Sequence, residues 1–490
     1  MNLPFSGLAI SLKPDLISLV MVFFALSMTL CSALFAWGYH VSERKDLNRS
    51  FWVGLWSFGL FATLTFLAGD WFSLTIFLEL STLSLFLMVL AGDSRTAIMY
   101  LITQFTGAGL LLVGTGALFL ETGSISIGPV TPSAVPFFIL GLGIKAALPG
   151  LHFWLPGTHS MAPSPASVLL SGVAVKLGIY GLIRLASPWL APWFLSLGLI
   201  MALYGVLQAL LQHDGKRLLA FHTISQLGFV LSALGSGTEL GILAALFYSL
   251  AHGVFKGLLF CSIGVLEKRY QTRDLGQLGR GIASDPLTFA LFLVGALAIT
   301  GFPGTSGFVA KSLVKEALKA GPHGFASLVL VAAGTGTAIS FSKMGYYGFM
   351  KGKDLFPGPI TEKKVFPGRA RCHTAMAILA LATLLMGSLP ILIPGRLSLD
   401  GAFLLSFKNI LSAMVPMVGG FFIFFLIPGI FSPAGQDVPD LYDLMNRLER
   451  PLAIFSWTLQ KGHSGRVRSY MKFLLAVIVV IFYILAASGI

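Results

Sequence analysis

Charge is what this sequence has least of. Only 11% of its 490 residues are Asp, Glu, Lys or Arg, and just 20 are acidic. So low a charged fraction excludes an ordinary soluble domain, in which about a quarter of the residues are charged. Cysteine is nearly absent: Cys31, Cys261 and Cys372 are scattered, with no CxxC and no Cys/His ligand spacing. That excludes a disulfide framework and a cysteine-held iron–sulfur cluster. There is no phosphate loop, metal-ligand set or nucleophile constellation, and the two histidines of HFWLPGTH, His152 and His159, flank a proline and need not share a face. The first fifteen residues lack the basic region and small-residue cleavage site of a removable signal peptide, so the first apolar segment is expected to be a true span.

Apolar residues, in contrast, make up 56% of the chain, and its mean hydropathy is +0.85. Windows of about 20 apolar residues, each long enough to cross a bilayer, lie at 16–37, 51–68, 71–91, 96–120, 134–155, 166–186, 193–212, 218–234, 239–266, 287–318, 325–349, 374–394, 409–431 and 471–489. The expectation is an all-α polytopic membrane protein of about fourteen transmembrane helices. The fifth and tenth windows contain internal Pro and Gly and are the candidates for broken helices.

A net charge of +13 would suit nucleic acid, but the basic residues collect in short loops between apolar runs, which is how membrane topology is encoded. No nucleic-acid partner is therefore expected. Loops after odd-numbered windows hold 21 Lys and Arg, whereas the alternate side holds Lys13, Lys319, Arg396 and Lys408. This bias puts the first set in the cytoplasm and both termini outside. From 432 to 472, Leu441, Leu444, Leu448, Leu452, Phe455 and Leu459 recur at helical spacing among charged residues. This segment reads as an amphipathic helix along the membrane surface or a neighbouring subunit, or else as a solvated loop with some helix.

The chain is organised around Gly141 to Arg184, GLGIKAALPGLHFWLPGTHSMAPSPASVLLSGVAVKLGIYGLIR. Lys145 stands four residues before Pro149, whose ring clashes with the Lys145 carbonyl, so the helix is expected to break where the charge sits. Broken helices at membrane depth are tolerated where they are buried in protein or line a wet cavity. Lys176 is about ten residues from either end of its window, too far for snorkelling to explain it. Glu79 sits mid-window, and two readings of it stand: a neutral carboxyl hydrogen-bonded to a neighbouring helix, or a charge partner for a lysine. A Glu/Lys pair that forms and breaks moves a buried lysine across neutral pH, as a proton relay requires. His252 and Lys256, four apart, share one helix face; each has a plain structural alternative, a helix-to-helix hydrogen bond and a carbonyl contact. Lys311 follows the second break at Pro303 and Gly304. His222 lies nearer a segment end, and Arg184, Lys315 and Lys343 are close enough to an interface for snorkelling.

GIKAALPGLHFWLPGTHSMAPSPASVLLSGVAVKLGIYG, KRLLAFHTISQLGFVL, FYSLAHGVFKGLLF, GFPGTSGFVAKSL and FLELSTL together resemble the antiporter-like subunits shared by respiratory complex I, membrane-bound hydrogenases and Mrp-type cation/proton antiporters. The likeness covers roughly residues 14 to 350. It implies a single membrane domain with two inverted five-helix repeats, at 51–186 and 193–349, each with one broken helix, then C-terminal spans over 374–490. It further implies that Glu79 is the family's carboxylate, Lys145 its broken-helix partner, Lys176 the connecting lysine, His252 the central histidine and Lys311 the terminal position, with Lys256 and His222 secondary. Family members usually carry two more spans ahead of the first one here. The 41 residues from Ser432 to Lys472 reach only about 60 Å as a helix, too short to brace several neighbours.

The implied function is proton translocation by a subunit of an energy-converting membrane oxidoreductase of the NADH:quinone oxidoreductase or hydrogenase kind. The alternative is a subunit of an Mrp-type Na+/H+ antiporter without a redox partner, or, third, a non-conducting scaffold. No cofactor is expected in this chain, so electron chemistry would belong to partner subunits. The expected partners are other membrane subunits, including further antiporter-like ones, and the expected location is the inner (cytoplasmic) membrane.

Overall fold

The computed structural model describes residues 10–40, 49–351 except 280, 320 and 322, 367–392 and 406–433, with single positions at 404, 440, 441, 443 and 444. The chain divides into two compact units, 1–438 and 439–490. The expected last span, 471–489, lies outside the described residues, as does nearly all of the expected amphipathic segment 432–472.

The described residues are helical, without strands. In order they form α1 (Leu16–His40), α2 (Arg49–Leu67), α3 (Trp71–Leu90), α4 (Ser94–Thr122), α5 (Val135–Lys145), α6 (Trp154–Met161), α7 (Ser164–Leu169), α8 (Val175–Leu185), α9 (Ala191–Leu211), α10 (Gly215–Leu234), α11 (Glu239–Tyr270), α12 (Gly281–Ser284), α13 (Pro286–Thr300), α14 (Ser306–Leu318), α15 (Gly324–Gly345), α16 (Arg369–Leu392) and α17 (Phe407–Leu426). Eleven of the helical segments are long and apolar enough to cross a membrane, so this is a multi-pass membrane protein. The fifth and tenth apolar windows are indeed each split, into α5/α6 and α13/α14.

Four of the scarce acidic residues serve as helix caps. Asp70, Asp93, Asp214 and Asp285 each precede a helix and accept its first free N–H groups, from Ser73, Thr96, Lys216 with Arg217, and Thr288. Such a cap contributes about 1 kcal/mol, and its negative charge also suits the helix N-terminus. Burial lifts the Asp285 carboxyl, but hydrogen bonds from His373 and the Thr288 N–H outweigh that and hold it below the usual carboxylate range.

Burial sorts the spans into centre and rim. The segment from Ser164 to Leu185 and helix α10 are each 94% buried, against 17% for α17. Central α10 and the outer helix α9 approach closely because small residues face each other: a Cβ on Gly198 would sit 2.5 Å from the Ser232 nitrogen, and one on Gly205 would sit 2.5 Å from that of Ser225. Close backbone approach of this kind is how helices associate where hydrocarbon supplies no hydrophobic drive. The rim presents Phe23, Trp56, Ile102 and Leu120 outward.

Candidate functional site: a row of buried charges

The first break does what proline at 149 dictates. Helix α5 ends at Lys145, Ala147 takes φ +55° and Gly150 φ +80°, and the chain restarts as α6 at Trp154. Left-handed backbone at a non-glycine residue costs roughly 1–3 kcal/mol and is tolerated where the surroundings over-determine it. Here Leu148 N–H returns to the Gly143 carbonyl at 2.9 Å, and the Trp154 indole donates to Ile144 O at 2.9 Å, so the freed end of α5 is satisfied. Lys145 is thereby placed at a helix C-terminus, where the dipole favours a cation.

Lys145 is 4% exposed, and its Nζ lies 2.6 Å from Glu79 Oε1 and 2.7 Å from Thr82 Oγ1. Glu79 and Lys145, far apart in sequence, are thus brought together. Ser81, Tyr100, Gln104, Trp154 and Leu177 also line the small pocket at Lys145. Gly178 lets α8 reach this point: a Cβ there would sit 2.8 Å from that of Lys145.

Two residues before Gly178 is Lys176, fully buried. A π-turn over Leu170–Ala174 widens the helix just ahead of it, a distortion frequent at functional sites. The Lys176 ammonium donates to the Ser171 carbonyl and lies 2.7 Å from His252 Nδ1. Ser171 in turn meets Thr223 Oγ1 at 2.9 Å, and Thr223 donates to Leu219 O, the same carbonyl that accepts from Lys256. Lys256 therefore does make the carbonyl contact that was its plain alternative, but that carbonyl is shared with the Lys176 network. His222 is fully buried, and the charges of both Lys256 and Lys311 act on it. Neither of its ring nitrogens has a hydrogen-bond partner among the described residues.

Lys311 closes the row. It reaches back across the second break to the Ile299 and Thr300 carbonyls, at 2.8 and 3.1 Å, which end α13. Gly301 makes this possible twice over, since its φ is +91° and a Cβ would come within 3.0 Å of Lys311 Cδ.

Three sequence readings need correction. Lys216, placed in a loop, is 1% exposed in the first turn of α10, with Nζ 2.7 Å from Glu267 Oε2 and 3.1 Å from Ala162 O. Arg273 joins Asp214 and Glu267 to this cluster, and Ser160, Ser164 and Tyr39 donate hydrogen bonds to or accept them from it. The charges of Lys216, Lys256 and Lys176 all act on buried His159, which stacks on Phe260. The sequence signal for this cluster was an acidic cap directly ahead of a lysine and a long apolar run. Lys343 does not snorkel: it is 1% exposed and donates to Leu210 O and Gln212 O at 2.9 and 2.8 Å, capping the end of α9. Arg184 pairs with Asp15 at 2.6 Å instead of merely reaching water.

A row of buried lysines and histidines with one carboxylate can hold and pass a proton or exclude a cation. Residues 68–340 match the family described as NADH:quinone oxidoreductase/Mrp antiporter, transmembrane. The chain belongs to this family. Among curated members it is 32% identical over 345 residues to hydrogenase-4 component B of Escherichia coli, covering 63% of this chain and 51% of that protein. It is 32% identical over 353 residues to NADH-quinone oxidoreductase subunit N of Desulforudis audaxviator, covering 67% and 70%. It is 28% identical over 365 residues to a Na(+)/H(+) antiporter subunit of Alkalihalophilus pseudofirmus, covering 69% and 73%. The chain thus spans about half the length of the first relative. Among solved structures, a chain of the Mrp complex from a Dietzia species shares the fold with a TM-score of 0.69 at 22% identity, 88% of each chain being covered. A chain of the membrane-bound sulfane sulfur reductase, an archaeal respiratory membrane complex, does so with a TM-score of 0.71 at 21% identity, covering 99% and 91%.

Proposed function

We propose that this antiporter-family chain is a proton-translocating subunit of an energy-converting membrane oxidoreductase complex in the cytoplasmic membrane, and that the row of buried charges is its conduction path. The single observation that carries this reading is how the buried charges are arranged: the Glu79–Lys145 pair packs against α8 at Gly178, two residues from Lys176, and Lys176, His252, Lys256, His222 and Lys311 follow, linked by contact, a shared carbonyl or direct electrostatic influence. Each buried charge is costly in hydrocarbon, and such groups within spans mark ion pathways and proton relays. In this reading 51–186 and 193–349 are the inverted repeats, within a set of about fourteen spans with both termini outside. The partners are further membrane subunits, and the redox cofactors are theirs.

The chemistry follows from charge proximity. When Glu79 is near Lys145 the lysine holds its proton, and separating the two favours release toward Lys176. His252, within hydrogen-bond reach of Lys176, accepts a proton on one nitrogen and offers one from the other. The Lys216–Glu267–Arg273 cluster lies on the side that the charge bias assigns to the cytoplasm, where a proton would load.

The Na+/H+ antiporter alternative is favoured by one specific observation, the 28% identity to a Na(+)/H(+) antiporter subunit. One experiment addresses both. Proton uptake into inverted membrane vesicles is driven in turn by a reductant and by an imposed Na+ gradient, with the intact protein and with Lys145→Ala. Reductant-driven uptake that disappears in the variant is the expected result. Uptake driven only by Na+ would make the alternative correct, and no difference under either drive would refute conduction.

A further inference from the structure

A cavity of about 210 Å³ opens between α14, α15 and α17. Its walls are mostly apolar, built from Val314, Leu318, Leu330, Val331, Ala413 and Pro416, yet Lys311, Lys315 and Lys319 line it as well. Those lysines are four apart and share one face of α14, spanning about 12 Å along the helix axis. Lys311 is at the inner end, beside the second break. The mouth lies at a membrane face, because α14 ends there at Leu318, α15 begins at Gly324 and α17 at Phe407.

The mouth is cationic. Lys315 donates to Ser412 Oγ at 2.6 Å, and the charged groups acting on it are Lys319, Glu316 and Lys408. Glu316 pairs with Lys319, so among the described residues three cations meet one carboxylate and positive charge is left in excess. The charge bias makes this odd, for Lys319 and Lys408 are two of only four basic residues assigned to their side of the membrane. Lys319 lines this cavity, and Lys408, one residue before the lining Asn409, acts on Lys315 at its mouth. The neighbouring surface is greasy: Leu328, Leu411 and Val415 are 65%, 50% and 58% exposed.

Excess positive charge over apolar walls at a membrane face is complementary to an anion that carries a hydrocarbon tail. We propose that this cavity binds an anionic phospholipid, with the headgroup phosphate held by Lys315, Lys319 and Lys408 and an acyl chain laid along Leu318, Leu330, Val331 and Pro416. The walls are what select a lipid over free phosphate, since a small anion would gain nothing from them. The proposal holds whether or not the chain conducts ions.

The test uses the full chain purified in detergent within its complex and exchanged into phosphatidylglycerol or phosphatidylcholine, with retained lipid counted by native mass spectrometry. Phosphatidylglycerol should be retained roughly tenfold better or more, since each basic residue near a bilayer surface strengthens anionic-lipid attraction by about fivefold. Replacing all three cations (Lys315→Gln, Lys319→Gln, Lys408→Gln) should abolish the preference. Ala413→Trp, which fills the apolar slot and leaves the cations in place, should lower retention of phosphatidylglycerol in a complex that still elutes intact. Equal retention of the two lipids, or a preference unchanged by both variants, overturns the proposal. So does displacement of the lipid by water-soluble glycerophosphoglycerol at equal concentration, which would make the site one for a free phosphate ester.

Discussion

The two broken helices hold their lysines by different means. Lys145 meets a carboxylate supplied by another helix, Glu79 Oε1 at 2.6 Å. Lys311 has no ion-pair partner among the described residues and rests on the two carbonyls that end α13. The first arrangement depends on the distance between α3 and α5, so a movement between helices can switch it. The second is fixed by the backbone of its own break, where a helix dipole favours the cation wherever neighbouring helices go. One site changes when helices move and the other stays constant, the difference that the proposed conduction path would require between its input and its outlet.

The largest effect should come from breaking the first site. Glu79→Ala leaves the Lys145 charge buried with only Thr82 and the end of α5 to receive it, and removing one partner of a buried ion pair costs roughly 3–5 kcal/mol. Thermal unfolding of the detergent-solubilised protein checks this. Stability within about 1 kcal/mol of the parent would mean that the hydroxyl and the dipole suffice, and the contrast between the two sites would vanish.

Next comes the second site. Lys311→Met leaves the Ile299 and Thr300 carbonyls without their donor, a loss of roughly 1–3 kcal/mol, smaller than at Glu79 because no charge is stranded. Lys311→Glu should be worse than Lys311→Met, since a carboxylate at a helix C-terminus opposes the dipole. Equal unfolding temperatures for these two variants would remove the dipole from the account of Lys311.

The same contrast explains what could be read from residues alone. The break at Lys145 was legible because proline's missing N–H and its clash with the carbonyl four residues back are local facts. The helix periods and the face shared by His252 and Lys256 were legible for the same reason. The partner of Lys145 came from resemblance, because no local pattern links positions 79 and 145. What stayed hidden was tertiary. Lys216 looked like a loop residue because an Asp–Gly–Lys–Arg run signals a turn, yet Asp214 caps a helix there and the fold closes over the lysine. Lys343 looked able to reach water because it stands near the end of its window, but the end of α9 arrives first. The link from Lys176 to Lys256 runs through a carbonyl, Leu219 O, and carbonyls carry no sequence signature.

The smallest predicted effect tests whether burial or distance sets the strength of the first site. Arg184 and Asp15 also pair at 2.6 Å, but Asp15 is 46% exposed where Glu79 is 16%. The Arg184 guanidinium, helped by the Ser18 N–H, draws the Asp15 carboxyl down to about 2 from its usual 3.8. A carboxyl lowered on folding contributes its stability in full above its unfolded value and loses it as pH falls toward the folded one. Solvent screening at this exposure limits the contribution to less than about 1 kcal/mol. Asp15→Asn keeps an acceptor for the Ser18 N–H while removing the charge and one of the two oxygens that face Arg184. Its unfolding temperature should therefore lie slightly below the parent's near neutral pH, with the gap closing as pH falls from about 4 to about 2. If Asp15→Asn instead costs as much as Glu79→Ala, equal distances would carry equal energies, and the burial of the Glu79–Lys145 pair could no longer be what makes it the stronger of the two.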